Sequence, residues 1–248
     1  MSGSLERALD ALELLAEGRE TTLAGLAKRL GASRATVHRL LAVLQERGYV
    51  RHMPQTHEYR LGPALNDLMA RSDSGSLIPL AAPVLAELSG LTGETINLAV
   101  LRRGRIVWAD TVDAVHAIRL TTTLGERVPP HATAIGKAIL AALPEREWGA
   151  LLGQEPYARL TPSTCTTLAE LRPALDDARA CGYALDEEES EIGGVCLAAA
   201  VLGRADRPIG AISVSAVAAR LPRTQWPQVG KAVHEACARL STWIKTNE

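Results

Sequence analysis

The chain has 248 residues, of which 47% are hydrophobic and 22% are charged, and its formal net charge is -1. This composition is ordinary for a folded soluble protein and excludes a largely disordered chain. The net charge excludes a uniform polyanion or polycation, so any basic surface must be local. No run of about 18 apolar residues indicates a transmembrane helix, and the N-terminal segment lacks the apolar core of a signal peptide. We therefore expect a cytoplasmic protein with no membrane partner.

The four cysteines do not form a C-x-x-C pair, and no His/Cys cluster has the spacing of a zinc site. The chain also lacks a phosphate-binding loop and a dinucleotide-binding glycine motif. We therefore predict no metal and no cofactor, and reduced thiols in the cytosol. Because Phe is absent and aromatic residues total 3%, the core must be built from Leu, Ala, Val and Ile.

Apolar residues recur at helical spacing in three segments near the N-terminus. The first segment covers residues 4–17, with Ser4 predicted as its N-cap. The second covers residues 23–30, and the third covers residues 34–47 with Ser33 as its N-cap. Glycines follow all three segments and favour helix ends there.

Two short β-type runs follow the third helix, at residues 49–51 and 58–61. Two short helices joined by a tight turn and followed by a β pair are typical of a winged helix-turn-helix. Residues 63–71 are a candidate short helix, and the polar Gly/Ser-rich residues 71–76 are a candidate hinge.

From residue 77 onward, helical segments alternate with pairs of strands. The predicted helices cover residues 78–91, 133–143, 168–181 and 225–244, and the predicted strands cover residues 95–100, 105–108, 117–122, 196–202 and 209–214. Hairpins separated by helices favour an α+β fold with an antiparallel sheet over βαβ units.

The third helix has the chemistry of a recognition helix that enters the major groove of double-stranded DNA. Arginine can donate two parallel hydrogen bonds to guanine, and Ser and Thr can bond to bases or phosphates. Residues 23–60 contain seven Lys and Arg against two Glu, a net charge of +5, while the remaining residues carry -6. Such a local excess attracts phosphate groups. The candidate DNA-binding residues are Ser33, Arg34, Thr36, His38 and Arg39.

A simpler interpretation of the N-terminal part is a small helical bundle with a solvated basic face, since such faces are common. The order of helix, turn, helix and wing favours DNA binding over this interpretation. His38 has a second possible role as a partly buried packing residue.

Three segments of the second part carry residues suited to a small-molecule site. Residues 129–138 lead from a loop into a helix, whose first amides attract anions. Ser213 and Ser215 are two residues apart on a predicted strand and share one face, which suits either a pocket or ordinary bonds to the backbone. Residues 186–191 form an acidic run that precedes a flexible Gly-Gly pair. The interpretations of a solvated loop and of a loop beside a site both stay open.

Two chemical alternatives involve Cys196. A thiol–imidazole pair with His131 is possible in principle, but a lone Cys on a strand is more often a small buried hydrophobe. Ser213 does not lie in a G-x-S-x-G elbow. A metal sensor built from His131, Asp186 and Cys196 has no support from spacing. We therefore predict that the protein is not an enzyme and holds no metal.

The arrangement resembles the IclR family of bacterial transcriptional regulators over nearly the whole chain. The matching motifs lie at residues 5–9, 26–41, 48–50 and 59–62 in the first part and at residues 93–95, 131–138, 182–188 and 212–215 in the second. The chain departs from the family pattern at Ala200, where Pro is usual, at the Gly193-Gly194 pair and at Ala216. These departures concern the ligand rather than the fold.

The resemblance implies a homodimer or a dimer of dimers, with a GAF/profilin-like sensor domain that binds a small organic acid. Glyoxylate-type acids are one candidate. Backbone amides and serine hydroxyls would bind the carboxylate, and Asp186 would accept a ligand hydroxyl or order its loop. The positions that match the effector-binding residues of the family are Thr133, Ala134, Ile135, Asp186, Cys196, Ser213 and Ser215.

The sequence thus predicts a winged helix-turn-helix domain at residues 1–62, a linker helix or hinge at 63–76 and an effector-binding domain at 77–248. The expected function is a ligand-responsive transcriptional regulator that acts as a repressor. The alternative is a small-molecule-binding or hydrolytic domain whose N-terminal helices serve only for dimerisation. That alternative predicts no salt-sensitive DNA affinity.

Overall fold

The computed structural model describes residues 3–18, 21–65, 68 and 77–247. The chain divides into two compact units, Met1–Ser76 and Leu77–Glu248. Most of the predicted connector lies outside the described residues, which include 63–65 and 68 from it. No helix within the described ranges is long and apolar enough to cross a membrane.

The N-terminal unit has three helices followed by a β-hairpin. Its elements are α1 (Ser4–Ala16), α2 (Leu23–Arg29), α3 (Arg34–Glu46), β1 (Val50–Met53) and β2 (Glu58–Leu61). The hairpin strands are antiparallel, and Val50 pairs with Leu61. This order confirms the predicted winged helix-turn-helix.

The helix starts in this unit are set by local hydrogen bonds. Ser33 caps α3 as predicted, because its hydroxyl accepts a hydrogen bond from the Thr36 amide at 3.2 Å. The prediction that Ser4 caps α1 is wrong, since the N-cap is Gly3. The Glu6 carboxylate accepts the Gly3 amide at 2.8 Å. This bond draws the first turn one residue earlier than the Ser4 hydroxyl would.

The apolar stripe of α3 forms the centre of the N-terminal core. Val37 and Leu41 are fully buried and pack with Leu26 of α2. Val50 and Tyr59 add the inner face of the hairpin to the same cluster. Burial of one such aliphatic side chain contributes roughly 1.5–3 kcal/mol to the free energy of unfolding. The apolar periodicity of α3 therefore determines which face of the helix packs against the core.

The C-terminal unit is an antiparallel sheet with helices on both faces, which confirms the α+β prediction. The sheet order is β4-β3-β7-β6-β5. The helices are α4 (Leu77–Thr92), α5 (Ala134–Ala142), α6 (Trp148–Leu152), α7 (Leu168–Cys181) and α8 (Trp226–Asn247), and the strands are β3 (Thr95–Arg102), β4 (Arg105–Val112), β5 (Ala184–Glu187), β6 (Gly194–Leu202) and β7 (Pro208–Val217).

The two faces of this sheet differ in side-chain size. The face toward α4 and α8 presents large aliphatic residues, among them Ile96, Leu98 and Ile212. The face toward α5 and α7 presents alanines, at positions 99, 184, 198 and 211. Small side chains let α5 lie close to the sheet. Further along the same face the alanines give way to polar residues, and the sheet there is left open to the cavity described below.

The predicted strand at residues 117–122 is wrong, because this segment is irregular. Its backbone is held by side chains instead of a neighbouring strand. The Leu120 carbonyl accepts a hydrogen bond from the Thr95 hydroxyl at 3.1 Å, and the Ile118 carbonyl accepts one from Arg220 at 2.9 Å. The apolar residues of this segment gave a strand-like pattern, but no ladder partner is available to it.

Candidate functional site

The N-terminal part of α3 presents its polar side chains to solvent. Arg34, His38 and Arg39 are exposed, and Thr36 is half-buried. The exposure of His38 favours a contact role over the packing role. Ser33 is exposed, but its hydroxyl already bonds to the Thr36 amide and lies 2.9 Å from the Thr36 hydroxyl. Ser33 therefore fixes the start of the helix, while the two arginines and His38 are available for contacts.

The basic side chains of this unit are largely unpaired. Of the seven Lys and Arg at residues 23–60, Arg60 has an ion-pair partner, Glu58 at 3.2 Å, and the other six have none within the described residues. Arg51 and Arg60 are paired positions on the hairpin and both are exposed. Free cations on a recognition helix and on its wing are suited to phosphate contacts.

The C-terminal unit contains a cavity of about 620 Å³ between the open end of the sheet, the start of α5 and the loops at residues 118–123 and 190–193. All seven sequence-predicted effector residues line this cavity, although they come from four separate segments of the chain. They are Thr133, Ala134, Ile135, Asp186, Cys196, Ser213 and Ser215.

The floor of the cavity is a connected network of neutral polar groups. The hydroxyl oxygens of Ser213 and Ser215 lie 3.3 Å apart, and the Asn97 amide donates to Ser215 at 3.1 Å. The Asn97 oxygen accepts from the hydroxyls of Thr111 and Thr122, both at 3.0 Å. All of these groups can rotate or exchange partners, so the floor can offer donors and acceptors to a ligand.

One wall of the cavity is the N-terminus of α5. The Thr133 hydroxyl caps the helix by accepting from the Gly136 amide at 3.0 Å. The amides of Ala134 and Ile135 belong to the first turn, where no carbonyl of the helix can accept their hydrogen bonds. A helix N-terminus of this kind attracts acidic oxygens.

The acidic loop is ordered by Asp186 rather than simply solvated. One oxygen of its carboxylate accepts from the amides of Glu189 and Ser190, at 2.8 and 3.2 Å, and the other accepts from the Ser190 hydroxyl at 2.5 Å. Burial raises the pKa of Asp186, although the Ser190 hydroxyl and the nearby Lys137 charge oppose this effect. Of the two roles predicted for Asp186, the structure shows the ordering of the loop.

Glu189, in the same loop, forms a buried ion pair with Lys137. The ammonium of Lys137 on α5 donates to the Glu189 carboxylate at 2.5 Å, and its side chain is 1% exposed. The pKa of Glu189 is raised by burial, an effect that Lys137 counteracts. The pair fastens the acidic loop to the helix that forms the cavity wall.

The structure does not assemble the alternative sites predicted around Cys196. The His131 ring bonds to the Ala158 carbonyl at 2.8 Å and does not line the cavity. Burial raises the pKa of the Cys196 thiol strongly, which favours the thiol over the nucleophilic thiolate. No cluster of three metal-ligating residues occurs within the described residues.

Other cavity residues escaped the sequence analysis. Asn97 pairs with Ser213 across the sheet, so a correct alignment of the two strands would have found it. Trp108 lines the cavity from β4, and Arg119 lines it from the irregular segment. Nothing in the sequence indicated that Arg119 lines the cavity, because its segment has neither regular structure nor a motif.

Comparison with known families matches both parts of the chain. A model described as the IclR helix-turn-helix domain matches residues 4–54, and a model of the bacterial transcriptional regulator IclR C-terminal region matches residues 69–242. The chain belongs to the IclR family. It is therefore a DNA-binding transcriptional regulator, and the relatives that it matches are transcriptional regulators rather than enzymes.

Individual IclR-family members align over almost the whole chain. The transcriptional regulator XynR of Escherichia coli strain K12 is 37% identical, over 96% of this chain and 95% of its own length. The transcriptional repressor IclR of the same organism is 32% identical, over 96% of this chain and 88% of its own length. The crystal structure of Thermotoga maritima IclR superposes with a TM-score of 0.77 at 26% identity, covering 97% of this chain and 98% of that one.

Proposed function

We propose that this IclR-family regulator is a cytoplasmic repressor that binds operator DNA as a homodimer, or as a dimer of dimers, and responds to a small organic acid. Residues 1–62 bind DNA, residues 63–76 link the domains, and residues 77–248 bind the effector. The observation that carries the proposal is the convergence of seven residues from four segments on one cavity of about 620 Å³.

In the DNA complex, the start of α3 lies in the major groove. Arg34 and Arg39 contact base edges or phosphates, and Thr36 and His38 add further hydrogen bonds. Ser33 contributes by fixing the helix start and through its exposed oxygen. A dimer presents two such helices to half-sites about one turn of DNA apart, so the operator is palindromic.

In the effector complex, the amides of Ala134 and Ile135 and the hydroxyls of Ser213 and Ser215 donate hydrogen bonds to oxygens of the acid. Thr133 and Cys196 complete the wall and floor, and Asp186 holds the loop that closes one side. The first compounds to examine are glyoxylate and pyruvate, which are small enough to enter and carry an acid beside a second oxygen.

Effector binding changes DNA affinity through the residues that join the two units. A coupling free energy of about 1–3 kcal/mol changes the DNA affinity by roughly five- to 150-fold. A change of that size alters the fraction of operator that is occupied, although a shift from 99% to 1% occupancy would need about 10⁴-fold.

The test is fluorescence anisotropy with labelled DNA from the region upstream of the gene, compared with scrambled DNA, at two salt concentrations. We expect selective binding that weakens steeply with salt and a shift in affinity when an acid is added. Equal binding to both DNAs, with and without acids, would contradict operator recognition and favour a helical dimerisation role for the N-terminal unit.

A further inference from the structure

The cavity has an unusual distribution of charge for a site that takes an acid. Three of the residues that line it are acidic, Glu126, Asp186 and Glu191. Among the described lining residues, Arg119 is the single cationic side chain. Without Arg119, the lining would hold no full positive charge for an anionic ligand.

The backbone on both sides of Arg119 accepts hydrogen bonds from side chains of the same unit. Arg220 donates to the Ile118 carbonyl at 2.9 Å, and Thr95 donates to the Leu120 carbonyl at 3.1 Å. Arg220 is itself held by two hydrogen bonds to the Glu94 carboxylate, both of 2.6 Å. Arg119 therefore extends from a short segment that is anchored at the preceding and the following residue.

The guanidinium of Arg119 retains most of its bonding capacity. Within the described residues, it donates one hydrogen bond of 3.0 Å, from Nη2 to the carboxylate of Asp113. The Arg119 side chain lines the cavity and is 34% exposed, whereas Asp113 is 55% exposed and lies outside the lining. A guanidinium has five N–H donors and binds a carboxylate best through two parallel bonds. A second carboxylate can therefore be accommodated.

The floor of the cavity cannot distinguish an acid from its neutral analogue by charge. The hydroxyls of Ser213 and Ser215 act as donors or acceptors alike. The carboxylate of Asp186 accepts hydrogen bonds from its own loop and repels an anion whenever it is ionised. The start of α5 supplies only a partial positive charge. A full cationic charge would add to this partial charge and increase the preference for the acid over its neutral analogue.

We propose that Arg119 binds the acidic group of the effector at the mouth of the cavity and thereby sets its selectivity for anions. This inference rests on the proposed acid effector. The α5 amides and the floor hydroxyls donate hydrogen bonds to oxygens of the same ligand, and Arg119 adds the full positive charge that they lack. Asp113 holds the guanidinium in place in the free protein and competes with the ligand for it.

The experiment measures dissociation constants for acids and for their primary amides with the purified full chain. The pairs are glycolate and glycolamide, lactate and lactamide, pyruvate and pyruvamide, and benzoate and benzamide. We expect an acid to bind wild-type protein at least tenfold more tightly than its amide. Arg119→Gln should weaken acid binding about tenfold to a hundredfold, the range of a lost charge-assisted hydrogen bond, and leave amide binding unchanged.

Three further variants separate binding from structure. Arg103→Gln removes an exposed arginine of the same unit that does not line the cavity, and should leave all constants unchanged. Arg119→Lys should restore part of the preference for acids. Asp113→Asn should strengthen acid binding, because it removes the competing carboxylate.

Each remaining outcome overturns the assignment in a different way. If acids bind wild-type protein and Arg119→Gln binds them equally well, Arg119 has no role in selectivity, and the proposed effector function stands. If Arg119→Gln weakens acids and amides by the same factor, the role of Arg119 is structural. If no acid of the panel binds wild-type protein, both the acid effector and this assignment are contradicted.

Discussion

The two units of this regulator use their charged residues in opposite ways. On the N-terminal unit, the cations of α3 and of the wing are exposed, and most of them have no acidic partner within the described residues. In the C-terminal unit, Lys137 and Asp186 are buried, and each is bonded to the acidic loop. The first set is available for a partner, whereas the second maintains the shape of a cavity.

This difference separates the effects of substitutions. Loss of an unpaired surface cation should reduce binding and leave the folded state intact, because no contact within the protein is broken. Loss of a buried, paired charge should reduce the free energy of unfolding, because the remaining charge stays buried without compensation. Lys137→Met and Arg39→Ala test this rule, Leu41→Ala tests whether the two units fold independently, and Asp186→Asn tests how the pKa of a buried carboxyl affects stability.

The largest effect is expected for Lys137→Met. It leaves the Glu189 carboxylate buried without a cation and should lower the free energy of unfolding by about 3–5 kcal/mol. Chemical denaturation followed by circular dichroism measures this change. The control is Arg172→Met, which breaks the exposed pair of Arg172 with Glu145 and should change stability little. Equal effects of the two substitutions would contradict the distinction between buried and exposed pairs.

Leu41→Ala tests the core of the N-terminal unit. Leu41 is fully buried in α3, so the cavity that remains should destabilise the fold by about 2–5 kcal/mol. Val43 lies on the same helix and is 52% exposed, and Val43→Ala should be nearly neutral. DNA affinity should fall for Leu41→Ala, while effector affinity is retained. A parallel loss of effector affinity would show that the two units do not fold independently.

Arg39→Ala should weaken operator binding without affecting stability. Loss of one bidentate base contact costs about 1–3 kcal/mol, which corresponds to roughly a tenfold to hundredfold weaker complex. Anisotropy with operator and scrambled DNA measures both affinity and selectivity. Arg146→Ala, at an exposed arginine of the C-terminal unit, is the matched control. Unchanged selectivity in Arg39→Ala would remove Arg39 from the base-reading surface.

The smallest effect is expected in the pH dependence of stability. Burial raises the pKa of Asp186 above its value of 3.8 in the unfolded chain, so the folded state keeps this proton to higher pH. As pH rises above about 4, the unfolded state loses the proton first, and the contribution of Asp186 to stability falls. The slope is at most about 1.4 kcal/mol per pH unit within this window.

Asp186→Asn should remove this contribution, so that its stability relative to wild type improves as the pH rises above about 4. Ser190→Ala removes a hydrogen bond that lowers the Asp186 pKa and should extend the window to higher pH. Denaturant titrations at a series of pH values measure both changes. A constant difference between wild type and Asp186→Asn across this range would be incompatible with a raised pKa.

The N-terminal unit was predictable because its signals are local. The spacing of Val37, Leu41 and Leu44 defines the buried face of α3, and the exposed positions follow from the same periodicity. The wrong prediction of Ser4 as the N-cap of α1 also has a local cause. The Glu6 carboxylate accepts a hydrogen bond from the Gly3 amide, so the N-cap is Gly3. The predicted hinge lies largely outside the described residues.

The effector site was predictable mainly where a family motif covers it. Ser213 and Ser215 share a face by strand alternation, but their proximity to Asp186 depends on a sheet order that no local pattern specifies. Asn97 and Trp108 were missed because their role depends on strand register. The sequence did not predict the irregular path of residues 118–123, because long-range hydrogen bonds, such as that from Arg220, determine it.

Two walls of the cavity are held in different ways, one by close contact between backbones and the other by hydrogen bonds from side chains. At Gly136, a Cβ atom would lie 2.4 Å from the Pro130 Cα, so α5 and the preceding loop meet backbone to backbone with no side chain between them. The opposite wall, at residues 118–123, is attached through rotatable side chains of Arg220, Thr95 and Thr122. Ligands that grow toward α5 should therefore meet a sharper size limit than those that grow toward residues 118–123, where side-chain contacts and not close backbone contacts set the limit. Variation among effectors should therefore occur at one end of the molecule.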